Sequence, residues 1–116
     1  MTAEYDQNYF ENGQDLGISG YKNYHWMPEI TIPMAYHIVR RLGINTTDRI
    51  LDYGCAKGFL VKAFNLLGFD AYGVDISEYA ISQTPNDVKD KCHSIKTIDD
   101  IKSIESNWDF CIAKDV

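Results

Sequence analysis

Along the chain the apolar positions switch between two periods, and the switches mark its elements. From 28 to 42, Met34, Ala35, Ile38, Val39 and Leu42 recur at helical spacing, with Pro28 or Pro33 suited to the first turn. Gly43 stands as a C-terminal stop, and Arg40-Arg41 in the last turn compensate the helix dipole. Asn45-Thr46-Thr47-Asp48 is turn chemistry, after which Arg49-Ile50-Leu51-Asp52 reads as a short buried strand. A second helix is expected over 58–67, where Phe59, Leu60, Val61, Ala63, Phe64, Leu66 and Leu67 leave only Lys62 and Asn65 for solvent. Residues 70–75 read as a second strand. A third helix starts at Ser77, a good N-cap, and ends before Pro85. Residues 86–92 are a charged connection, 94–98 a third strand, 99–104 one helical turn and 108–114 a fourth strand.

Alternating helices and strands predict an α/β domain over 28–116, an open parallel sheet with flanking helices. The pattern stops after the fourth strand, so the domain reads as truncated there, with an open sheet edge available for self-association. Residues 1–27 follow neither period. They hold Gly13, Gly17 and Gly20, yet also Tyr5, Tyr9, Phe10, Tyr21, Tyr24 and Trp26, too many aromatics to leave in water. An irregular, aromatic-rich N-terminal cap on the domain is the expectation.

Composition narrows the partners. The 116 residues are 45% hydrophobic and 24% charged, enough apolar material for one core. A net charge of −6 without a basic patch disfavours nucleic acid, because nothing would release phosphate counterions. Cys55, Cys92 and Cys111 are widely spaced and form no metal-binding or disulfide pattern. No signal-peptide pattern and no membrane-length apolar run is present, which makes the cytoplasm the expected compartment.

The chemistry centres on a buried strand, the loop Gly54-Cys55-Ala56-Lys57-Gly58 and the helix that follows. Such a turn offers backbone N–H groups and a positive helix end, and small residues let a ligand approach the main chain. Asp52 ends the first strand and Asp75 the second, where ligands bind in open parallel sheets. A carboxylate at Asp75 can accept hydrogen bonds from both hydroxyls of a ribose. A phosphate-binding GxxxxGK[ST] string is absent, and GxGxxG would need glycine at Ala56 and Phe59. A nicotinamide-dependent oxidoreductase is thereby disfavoured.

Ile50-Leu51-Asp52-Tyr53-Gly54-Cys55-Ala56-Lys57-Gly58 resembles the first motif of class I S-adenosylmethionine-dependent methyltransferases. Ala71-Tyr72-Gly73-Val74-Asp75-Ile76-Ser77 is similar to the family's second-strand motif, and Trp108-Asp109-Phe110-Cys111-Ile112-Ala113-Lys114-Asp115-Val116 to its fourth. The resemblance implies a Rossmann-like fold, with S-adenosylmethionine as cofactor. It implies that Gly54, Cys55, Ala56 and Gly58 line the methionine and ribose portion, with Asp52 near the amino group. It also implies Asp75 on the ribose hydroxyls, Ile76 against the adenine, Asp99 (ahead of Asp100) near the adenine amine, and the Lys114 backbone at the methionine end. Ala56 stands where the family has glycine, which a negative φ would accommodate.

The methyl acceptor is not legible, a small molecule or sugar being favoured over lipid or protein. No catalytic base is assigned, and no metal is expected. Cys55 reads as small-residue packing rather than a nucleophile, and His25, His37 and His93 as structural. Tyr21, Tyr24 and Trp26 are placed where they could close over a sulfonium. The competing expectation is a truncated, non-catalytic Rossmann-like binding or assembly module.

Overall fold

The computed structural model describes residues 7, 11, 24–104 and 107–113. Helix α1 is Pro28–Leu42. Strand β1, Arg49–Tyr53, leads to helix α2, Phe59–Leu66, and strand β2, Asp70–Asp75. A short helix α3, Glu78–Ser82, follows, then strand β3, Cys92–Ser94, and strand β4, Phe110–Ile112. Three-ten helices, Asn86–Lys91 and Ile98–Ser103, flank β3. The strands lie in the order β3-β2-β1-β4 with every pairing parallel, the Rossmann-like architecture expected from the alternation.

Side-chain alternation gives the sheet two different faces. Ile50, Ala71 and Cys92 face Ala35 and Val39 of α1 and Leu60, Val61 and Phe64 of α2. The opposite face carries Leu51 and Val74, covered by Ile95, Ile101, Ile104 and Trp108. Helix α1 starts at Pro28 and runs on through Pro33, which has no backbone N–H to donate. Arg40 and Arg41 occupy its last turn, as the dipole argument requires.

Several boundaries move for local reasons. The third strand is Cys92–Ser94, not 94–98, and the connection before it is largely helical. Asp100 accepts the Lys96 and Thr97 N–H groups at 2.8 and 3.1 Å, so those amides leave the ladder. Thr97 and Asp100 together make a capping box. Strand β4 is likewise shorter than 108–114. Asp109 pairs with Arg49 through its own N–H and through its carboxylate, which accepts Arg49 N–H at 2.8 Å, while Trp108 turns under Tyr72.

Asn65 is not left to solvent. It donates to the carbonyls of Val61 and Ala71 and accepts from Lys91, tying α2 to β2, whereas Leu66 is 57% exposed. Gln7 and Glu11 are helical, and residues 24–27 run without regular structure into α1. Tyr5, Tyr9, Phe10 and Tyr21 of the expected cap lie outside the described residues.

Candidate functional site

The chain winds outward from β1 through β2 to β3, then returns to the far side of β1 as β4. Such a reversal opens a crevice at the carboxyl end of the central strand, where open α/β sheets take ligands. The β1–α2 loop fills that position. Its Gly54 and Cys55 N–H groups both donate to the Val74 carbonyl, at 2.8 and 2.9 Å, which fastens the loop to the end of β2.

Three loop residues have positive φ: Gly54 at 79°, Ala56 at 53° and Gly58 at 82°. Ala56 therefore does not adopt the negative φ that the sequence reading would have needed to house its methyl group easily. It occupies the left-handed region in which its family position normally carries glycine. The methyl is offset by packing against Tyr24, Tyr79 and Ala80.

That conformation aims the Ala56 N–H at Asp75, whose Oδ2 accepts it at 2.7 Å, while Oδ1 accepts Ser77 N–H at 2.8 Å. An ionised carboxylate has about four acceptor positions. Two are used here, so two directions remain for further donors. Ile76 follows on the surface, 39% exposed. Ser77 caps α3 by accepting Ala80 N–H at 3.1 Å, as its position implied.

Asp52 is buried at the end of β1 and shares a cavity of about 230 Å³ with Gly54, Cys55 and Ala56. Tyr24, Met27, Ile30 and Met34 also line it, with the polar side chains of His25 and Thr31 among them. Pockets for whole small ligands commonly hold about 300–1,000 Å³. This one suits a single end of a longer ligand, with Asp52 contributing an acidic group to its lining.

Of the residues singled out from the sequence, Asp52, Gly54, Cys55 and Ala56 thus meet on one cavity, with Asp75 joined to it through Ala56. Gly58 faces inward instead: a Cβ there would lie 2.8 Å from Cys92 Sγ. Asp99 is exposed on the helix Ile98–Ser103, while Asp100 is committed to its capping box. Lys114 lies outside the described residues.

Cys55 is packed under the loop. Its contact with Cys92, then burial, then the charges of Asp52 and Asp75 hold its thiol well above the ordinary range, so it stays protonated. Tyr24 does reach the cavity, whereas Trp26 packs on Phe59 with ring centroids 5.9 Å apart. Tyr21 lies outside the described residues. Among the described residues no cluster could hold a metal ion, and no helix is long and apolar enough to cross a membrane.

The sequence reading passed over Lys57. It is only 6% exposed, and its ammonium donates to the Glu11 carboxylate and to the Tyr24 carbonyl at 2.9 Å. The signal available was a lone cation inside an otherwise apolar loop-to-helix run, which must find a partner when buried.

Comparison with known proteins bears on the family and the fold. The family model described as a methyltransferase domain matches residues 25–111. No curated protein sequence matches. Among solved structures, the glycopeptide N-methyltransferase MtfA complexed with sinefungin aligns with TM-score 0.53 and 17% identity, over 72% of this chain and 36% of that one. The MccD protein aligns with TM-score 0.46 and 27% identity over 62% and 35%. YjhP from E. coli aligns with TM-score 0.42 and 22% identity over 56% and 29%. The chain therefore spans about a third of the length of these structures.

Proposed function

Because the chain belongs to the methyltransferase-domain family, we propose that its β1–α2 crevice binds S-adenosylmethionine for transfer of the methyl group to an acceptor. One observation carries the reading: the Asp75 carboxylate, at the end of β2, is joined to the Ala56 N–H of the loop at 2.7 Å and keeps two acceptor directions. Those directions suit the two hydroxyls of a ribose. The acidic lining at Asp52 suits the cationic amino group at the methionine end. The sinefungin complex of MtfA lends support by analogy of fold.

When bound, the cofactor supplies an electrophilic methyl group on a sulfonium sulfur, open to in-line displacement. The chain's part is alignment. Asp75 fixes the nucleoside, Asp52 holds the amine, and the side chains of Tyr24, Met27, Ile30 and Met34 line the cavity beside them. Positioning of this kind can account for much of a bimolecular reaction's acceleration. For the acceptor we favour a small molecule or a sugar, since a chain of charge −6 disfavours phosphate-rich polymers. The compartment we propose is the cytoplasm, whose reducing conditions suit three free cysteines.

The test is calorimetric titration of the chain with S-adenosylhomocysteine, alongside Asp75→Ala. Binding by the parent and a loss of at least about tenfold in the variant, equivalent to about 1.4 kcal/mol, is expected. A folded parent that takes up no ligand at millimolar concentration would sink the proposal.

A further inference from the structure

Lys57 sits in the cofactor loop yet points away from solvent into a cluster drawn from three other parts of the chain. Its ammonium meets the Glu11 carboxylate and the Tyr24 carbonyl, and lies 5.6 Å from the Tyr24 ring centroid and 5.7 Å from that of Tyr79. Tyr79 belongs to α3, the helix that follows Asp75. Burial, then the Glu11 charge, raises the Tyr79 phenol above its ordinary range. Tyr24 in turn packs on Ala56, meets Phe59 as a tilted ring pair with centroids 4.9 Å apart and lines the cavity with Asp52.

An ion pair with one buried end is a poor way to gain stability: the Lys57 side chain is 8% exposed and that of Glu11 26%. Desolvation of the ammonium offsets much of the attraction, and apolar replacements of such pairs are often neutral or better. What such a pair does supply is a directional constraint: Lys57 can satisfy its ammonium only with Glu11 and residue 24 in one arrangement. We infer that Lys57 is a positioning residue of the cofactor site, clasping Glu11 and Tyr24 so that the Tyr24 ring forms the cavity wall against Ala56. The inference rests on the cofactor-binding reading of this loop and deepens it, because the loop that binds the ligand also orders the segment that encloses it.

The experiment compares the full chain with Glu11→Gln and with the double variant Lys57→Met/Glu11→Gln. Methionine keeps the length and packing of the lysine stem while removing the charge. Melting temperature, S-adenosylhomocysteine affinity and amide hydrogen exchange over residues 24–27 are measured for each. The expected result is a split: the ligand-free double variant melts within a few degrees of the parent, yet binds about tenfold more weakly and exchanges faster over 24–27. Glu11→Gln, which leaves a neutral hydrogen-bond acceptor, shows the same direction with a smaller loss. Unchanged affinity in both variants, with a parent that binds, overturns the positioning role alone. A parent that does not bind removes the cofactor reading and this inference with it.

Discussion

Gly73→Ala is the sharpest perturbation the structure offers, because it tests how the cofactor loop is seated on the sheet. Gly73 lies in the middle of β2 and pairs with Asp52 on one side and Cys92 on the other. A Cβ added there would lie 2.7 Å from both Cβ and Sγ of Cys55 and 2.8 Å from Val61 Cγ2. All three distances are shorter than real Cβ contacts, and the neighbours sit on short side chains of two buried residues, Cys55 and Val61. Strand β2 is held on both sides by β1 and β3, so the loop and α2 must give way. Overpacking of this kind costs about 1–3 kcal/mol. At this chain length that corresponds to a fall in Tm of roughly 4 °C per kcal/mol. The Cys55 N–H is bonded to the Val74 carbonyl, so the same displacement pulls the loop from the end of β2 and weakens S-adenosylhomocysteine binding. Urea denaturation of Gly73→Ala, Cys55→Gly and the double variant closes the cycle, since Cys55→Gly removes two of the three clashes. A favourable coupling of about 1 kcal/mol is expected, within the range for residues in contact. Additive costs, or a Gly73→Ala protein that melts with the parent, would refute the close-seating argument.

Two further outcomes follow from the loop and its cysteines. Ala56→Gly relieves about 1–2 kcal/mol of left-handed strain, but loses about 0.8 kcal/mol for a buried methyl and about 0.4–1 kcal/mol to unfolded-state freedom. Chemical denaturation should place it within about 1 kcal/mol of the parent, whereas Ala56→Val, β-branched at positive φ, should cost roughly 2 kcal/mol or more; a tolerated valine would contradict the assigned backbone. For the thiols, Cys55 and Cys92 are buried and Cys111 is exposed on β4. An aromatic disulfide reagent should label Cys111 alone in the native protein and all three cysteines in guanidinium. Partial burial, then the Asp52 charge, raises the Cys111 thiol, so its labelling rate should keep climbing beyond the pH at which an ordinary thiol is ionised. Native labelling of Cys55 as fast as Cys111, read by mass spectrometry, would show that the loop does not shield it.

Residue spacing alone determined the α/β alternation, the positions of β1, α2 and β2, and the loop between two strand-end aspartates. These are local properties: the period of apolar residues sets which face is buried, and glycines and caps mark where a period ends. The helix stop at Gly43 and the N-cap at Ser77 belong to the same class. Tertiary structure decided the rest, because each remaining feature depends on partners distant in the chain. Strand β3 ends early only because Asp100 captures two amides, and β4 is shortened where Asp109 meets Arg49. Gly73 is required only because Cys55 and Val61 arrive above it. Ala56 takes a positive φ that its own side chain disfavours because the fold places the Asp75 carboxylate beside its N–H. Lys57, plain in the sequence as one letter between Ala56 and Gly58, became a junction once folding brought Glu11, Tyr24 and Tyr79 to a single buried charge.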